Sequence, residues 1–159
     1  MITQKYDICL ALHNIRSVHN VGAIFRTAEA IGVSKIYLCG YTPAPVDRFG
    51  RTRNDIAKSA LGAENMVKWE SIKDIKKLIG EMKKDSFEIL ALEQAKGSIN
   101  YKNIKPKKKS LIILGNEIEG IEKEILDMCD EILEIPMKGN KESLNVSVAT
   151  GILLFQLFG

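Results

Sequence analysis

Residues 135–158, IPMKGNKESLNVSVATGILLFQLF, run from the end of an apolar strand, through a loop crowded with small polar groups, into a helix that is apolar on nearly every side, as a fully buried helix would be. Pro136 ends the strand, Gly139-Asn140 makes a turn, and Asn145 or Ser143 caps the final helix. Capping accounts for one Asn or Ser. It does not account for the whole cluster of Gly139, Asn140, Ser143, Asn145 and Ser147, whose polar atoms at the mouth of a buried helix need partners. A ligand-holding loop and a locally capped turn both stand at this point.

Outward from this stretch, short apolar runs suited to buried strands alternate with helical patterns: DICLAL, KIYLC, a weaker MVKW, FEILAL, LIILG and EILEIP. Such alternation predicts an α/β fold, a parallel sheet flanked by helices. A helix capped by Asn20 is expected to run to about Ile31 and stop at Gly32, with Val21, Ile24, Ala28 and Ile31 as its apolar stripe. Ser71 to Lys84 predicts a surface helix with Ile72, Ile75, Leu78, Ile79 and Met82 on one face. Tyr41 to Arg53, with two prolines, a glycine and three arginines, reads as a long exposed loop.

The 159 residues, 45% of them hydrophobic, have the size and apolar fraction of one domain spanning 1–159. No window is apolar for the length a membrane span needs, and MITQKYDICL lacks a basic lead into a signal-peptide core, so a soluble cytoplasmic protein is expected. Cys9, Cys39 and Cys129 are odd in number, widely separated and set among apolar residues, which predicts buried free thiols and neither a disulfide scaffold nor a metal site. The net charge of +3 is uneven. Residues 1–62 hold eight Lys and Arg against four Asp and Glu, out of 23 and 20 in the chain, and they hold all five arginines, Arg16, Arg26, Arg48, Arg51 and Arg53. Arginine forks onto phosphate oxygens, so a polyanionic partner and a merely solvated basic surface are the two readings of this first part.

Two further segments carry polar groups at telling places. In NIRSVHNVGAIFRTAEAIGV, Asn14 to Val33, Arg26 lies away from the apolar stripe, with Gly22 one turn before it and Glu29 three residues after; an open notch beside a guanidinium and a weak surface ion pair are the alternatives. In LIILGNEIEGIEKEI, Leu111 to Ile125, a buried strand breaks at Gly115 and a helix resumes after Gly120. Gly115-Asn116-Glu117 thus falls at the carboxyl end of a strand, where parallel sheets bind ligands, and glycines at both ends of the loop allow close backbone approach. The segment is neither a P-loop nor a G-x-G-x-x-G site. Glu117 and Glu119 equally suit the first turn of a helix.

In this order and at these separations, residues 14–33, 111–121 and 135–150 resemble the three sequence motifs of the SpoU (TrmH-type) branch of the SPOUT RNA methyltransferases, SLNVSVA at Ser143 to Ala149 being the most specific piece and ALEQAKGS at Ala91 to Ser98 resembling the cofactor-side loop. The resemblance covers essentially the whole chain. It implies a parallel α/β sheet with a C-terminal trefoil knot, S-adenosylmethionine held in that knot, and a homodimer in which the first-motif arginine of one subunit meets the cofactor of the other. It also implies methyl transfer to a ribose 2′-hydroxyl of RNA, transfer RNA ahead of ribosomal RNA, without a metal and without the accessory RNA-binding segment of many relatives. Carried onto this sequence, Arg26, Asn20, Glu117 and Asn145 would be the catalytic group. Leu92, Gly115, Asn116, Ile135, Met137, Ser143 and Leu144 would hold the cofactor, and Arg16, Arg48, Arg51 and Arg53 the RNA. A knotted methyltransferase acting on a base nitrogen and a noncatalytic RNA-binding module are the rival expectations.

Overall fold

The computed structural model describes residues 5–159. Its seven strands are β1 (Asp7–His13), β2 (Lys35–Cys39), β3 (Lys68–Ile72), β4 (Glu88–Leu92), β5 (Ile99–Asn100), β6 (Lys109–Leu114) and β7 (Glu131–Glu134). They form one parallel sheet in the order β3-β2-β1-β6-β4-β7-β5. The central strands are apolar at nearly every position because helices cover both of their faces: Leu10, Ala11 and Leu12 of β1 and Leu111, Ile112 and Ile113 of β6 are all fully buried. β3, at one edge, is polar and largely exposed, with Lys68 and Glu70 pointing to water.

The helices are α1 (Val18–Ile31), α2 (Asn54–Ala60), α3 (Ile75–Lys84), α4 (Lys123–Leu126) and α5 (Val146–Phe158). Val21, Ile24, Phe25 and Ala28 of α1 and Leu153, Leu154 and Leu157 of α5 share one core with Ile8, Leu10 and Leu12 of β1. On the other face Ile75, Leu78, Ile79 and Met82 of α3 and Ile125 of α4 pack against Cys9 and Ala11. The period-two alternation of β1 therefore divides its residues between two cores.

Four expectations are corrected. The N-cap of α1 is Ser17, whose hydroxyl accepts from Asn20 N–H (3.1 Å); Asn20 lies inside the first turn because tertiary partners claim its amide. Ile72 belongs to β3, and α3 starts only at Ile75 because the Asp74 carboxylate accepts from Lys76 and Lys77 N–H. The space beside Gly22 is filled, not open: a Cβ there would lie 2.0 Å from Ser59 Oγ and 2.6 Å from the Ile56 carbonyl oxygen, so the missing side chain lets α2 seat against α1. Finally, α5 is not buried all round, since Val148, Ile152 and Phe155 are 51%, 36% and 53% exposed and form an uncovered apolar stripe. Cys9 and Cys39 are buried and Cys129 partly so, all three free.

Candidate active site

The site lies beyond the carboxyl ends of β6, β4 and β7, which are adjacent in the sheet although the chain visits them out of order. At such a point neighbouring connections leave in different directions and open a crevice. The loops following these three strands enclose a pocket of about 570 Å³, closed on one side by Asn20 and by Val146 and Ala149 of α5, a volume typical of small-molecule sites.

One polar relay ties the three motif segments together. The Glu117 carboxylate accepts from Arg16 N–H (3.2 Å), Ser17 N–H (3.1 Å) and the Asn20 amide (3.2 Å), and so crowns the start of α1 from another loop. Burial works to raise the Glu117 carboxyl, but hydrogen bonds from its own N–H, Ser17, Asn20 and Arg16 outweigh it and leave its pKa below the ordinary value. Asn20, only 5% exposed, accepts in turn from the Asn145 amide (3.1 Å). Asn145 caps α5, its oxygen accepting from Ser147 N–H (2.8 Å) and Val148 N–H (3.3 Å). Of the two caps open in the sequence, Asn145 is the one used.

The loop between β6 and α4 is closed by its own residues. Asn116 donates to the Asn14 carbonyl and the Tyr41 hydroxyl (both 2.9 Å) and accepts from Ile118 and Glu119 N–H, so its side chain is fully engaged in structure. A Cβ on Gly115 would come within 2.4 Å of Ile121, and one on Gly120, which has φ +70, within 2.3 Å of Glu93 Oε2. These glycines thus serve the loop's closure on itself and on Glu93, which accepts from Ile121 N–H (3.0 Å), and both also line the pocket.

Leu92, Gly115, Asn116, Ile135, Met137, Ser143 and Leu144 all line the pocket, as do Asn20, Glu117 and Asn145. Arg26 does not. It stands exposed on α1, outside the ion pairs formed among the described residues, Glu29 included. Arg16, Arg48, Arg51 and Arg53 also lie outside the pocket; Arg51 pairs with Asp47 (2.9 Å) and Arg53 with Asp55 (2.7 Å). Pairs this exposed are weak and yield readily to a phosphate.

Two features escape a reading by motif. Thr42, buried, donates to the Leu12 carbonyl (2.7 Å) and accepts from Ile15 N–H (3.0 Å), fixing the turn into α1; nothing local in the sequence marks it. The second was open to simple counting. The pocket is lined by Glu93, Glu117, Glu119, Glu134 and Glu142 and by no lysine or arginine. Its field therefore favours a cation, and its apolar wall of Leu92, Leu114, Ile135, Met137 and Leu144 suits a flat ring.

The SpoU rRNA methylase family matches residues 7–155. The chain belongs to that family. A tRNA (guanosine(18)-2′-O)-methyltransferase of Aquifex aeolicus (strain VF5) is 33% identical over 153 residues, which are 96% of this chain and 69% of that protein. Among solved structures, an AdoMet-bound rRNA methyltransferase from Sinorhizobium meliloti superposes with a TM-score of 0.84 at 27% identity, over 96% of this chain and 56% of that one. The A. aeolicus TrmH/SpoU tRNA modifying enzyme superposes at 0.82 with 30% identity, over 96% and 74%. The SpoU-family chain described here thus spans little more than half to about three quarters of the length of these relatives.

Proposed function

We propose that this SpoU-family chain transfers a methyl group from S-adenosylmethionine to a ribose 2′-hydroxyl of RNA, transfer RNA ahead of ribosomal RNA, and that it does so in the cytoplasm as a homodimer whose C-terminal segment is threaded into a trefoil knot. The observation that carries the reading is the acid-lined, cation-free pocket around the Glu117–Asn20–Asn145 relay. When bound there, S-adenosylmethionine supplies a methyl already activated by its positive sulfur, which five carboxylates favour and apolar walls keep from water. The residues fit that cofactor in charge, volume and polarity.

The chain's own task is to align the ribose oxygen and ease loss of its proton. Asn20 and Asn145, fixed by each other and by Glu117, present polar edges of known direction to the sugar. A cation is needed to favour the developing alkoxide, and the pocket of a single chain has none. Arg26 supplies it from a second copy. That arrangement agrees with its exposed place on α1, beside α5, whose stripe of Val148, Ile152 and Phe155 is the apolar surface a symmetric partner would cover. As arginine stays protonated, Arg26 acts by charge and orientation and does not accept the proton.

Purified protein with S-adenosylmethionine and total RNA from cells lacking the gene tests the reading, with nuclease digestion and mass measurement of the labelled nucleoside. A 2′-O-methylated nucleoside is expected. A base-methylated nucleoside, or calorimetry showing no heat with S-adenosylmethionine, overturns it. Arg26→Ala should abolish transfer while leaving cofactor affinity nearly unchanged. Mixed with a pocket variant such as Leu144→Asp, it should regain part of the activity, because each mixed dimer keeps one intact site; absence of recovery would count against a shared site.

A further inference from the structure

The segment from Val46 to Thr52, VDRFGRT, is an ordered hairpin-like tip. Val46 and Thr52 bridge antiparallel, Asp47 N–H donates to the Arg51 carbonyl (2.8 Å), and Arg53 N–H donates to the Pro45 carbonyl (2.8 Å). The Asp47 carboxylate accepts from Phe49 N–H (2.8 Å) and Arg51 N–H (3.0 Å) and so locks the turn from inside. At its apex the Phe49 ring is 66% exposed, with the Arg48 and Arg51 guanidinium carbons 4.8 Å and 5.0 Å from the ring centre.

A turn held by this many bonds displays its apex at a fixed place, so the exposure of Phe49 is a property of the fold and not of a loose end. Between Tyr41 and Arg53 there are three arginines and one aspartate, whereas the nearby pocket is lined by glutamates alone among charged residues. A polyanion is therefore turned away from the pocket walls and drawn to this tip. The loop that carries the tip is anchored at its base beside the pocket: four to five residues before Val46, the Tyr41 hydroxyl accepts from Asn116 in the loop after β6 (2.9 Å), and Thr42 binds the end of β1.

We infer that Phe49 is a stacking platform for an unpaired nucleobase of the substrate RNA near the target ribose, the ring receiving the base while Arg48 and Arg51 move from the ring onto the flanking phosphates. The inference rests on the RNA methyltransferase reading above. Bases stack on exposed aromatic rings irrespective of sequence, and guanidiniums resting on a solvated ring are readily exchanged. Phe49 is thus a positioning residue, acting on where the RNA lies and not on the reacting atoms.

The test compares the wild type with Phe49→Ala, Phe49→Leu and Phe49→Trp, using total RNA from cells lacking the gene for methyl transfer and a uridine heptamer carrying one 2-aminopurine for direct stacking. Phe49→Ala should raise the KM for RNA by about five- to 150-fold, leave kcat at saturating RNA and the affinity for S-adenosylmethionine nearly unchanged, and lose the fluorescence quenching seen with wild type. Phe49→Trp should restore both readouts, and Phe49→Leu neither. An active wild type whose KM is unaltered by Phe49→Ala, or is kept by Phe49→Leu, overturns the stacking role and leaves the activity standing. A wild type that transfers no methyl group and gives no quenching overturns both.

Discussion

Replacing Asn20 by Asp keeps the size of a buried side chain and inverts one of its two hydrogen bonds. The Asn145 amide can still donate to it, but on the other side an N–H lying 3.2 Å from Glu117 Oε1 becomes a carboxylate oxygen. Two unit charges at that separation repel by about 1 kcal/mol in water-like surroundings and about 5 kcal/mol at an effective dielectric constant of about 20. The lost hydrogen bond to a charged group adds about 1.5–3 kcal/mol, and an acid in the first turn of α1 returns about 0.3–1 kcal/mol. A net loss of about 2–8 kcal/mol at pH 7.5 follows from these terms.

The pH dependence separates this cause from simple loss of packing. In the wild type the lowered Glu117 pKa contributes stability that is present above the ordinary carboxylate range and lost as pH falls through the lowered value, so Glu117 itself adds almost no change between pH 7.5 and 5. In the variant the two carboxylates come to share a proton, which raises their joint affinity for it above that of the unfolded chain. Its deficit is therefore small in acid and grows as pH rises through that raised value. Urea unfolding of wild type, Asn20→Asp and Asn20→Ala at pH 5 and 7.5, at one protein concentration, measures it. Asn20→Ala should lose about 1–2 kcal/mol at both pH values. A deficit for Asn20→Asp that is equal at the two pH values, or no larger than that of Asn20→Ala, would refute the reasoning.

Gly22→Ala should destabilise the protein by about 1–3 kcal/mol, because the new methyl meets the Ile56 carbonyl, which cannot move aside without shifting α2; a melting temperature equal to wild type would show that α2 gives way freely. The cysteines should resist thiol reagents in the native protein at pH 8, since burial pushes Cys9 and Cys39 up to about 12 and Cys129 to about 11. All three should react at once in urea, whereas in the native protein Cys129 should be the first to respond as pH is raised; prompt native labelling of Cys9 or Cys39 would contradict their burial.

The parallel sheet was legible because its central strands are buried on both faces and so stand out as continuous apolar runs, LIIL in β6 above all. The two-residue β5 and the seven-residue α2 were not, being too short for a period to show. At the site, the polar residues of the motifs do converge on one pocket, but the relation among them is tertiary. No spacing reveals that Asn20 serves Asn145, 125 residues away, instead of capping its own helix. The marker of the true cap, Ser17 three residues before Asn20, was present in the sequence all the same. The space beside Gly22 is ambiguous in sequence for a similar reason, since a missing side chain looks the same whether a ligand or another helix takes its place.

The glutamates around the pocket imply an asymmetry between what arrives and what departs. On the proposed reaction the donor would enter with a positive sulfur and the thioether left after transfer would have none, so the attraction that concentrates the reactant would be withdrawn by the reaction itself. A wall of fixed negative charge would in this way bias the traffic of the site toward turnover, with no moving part.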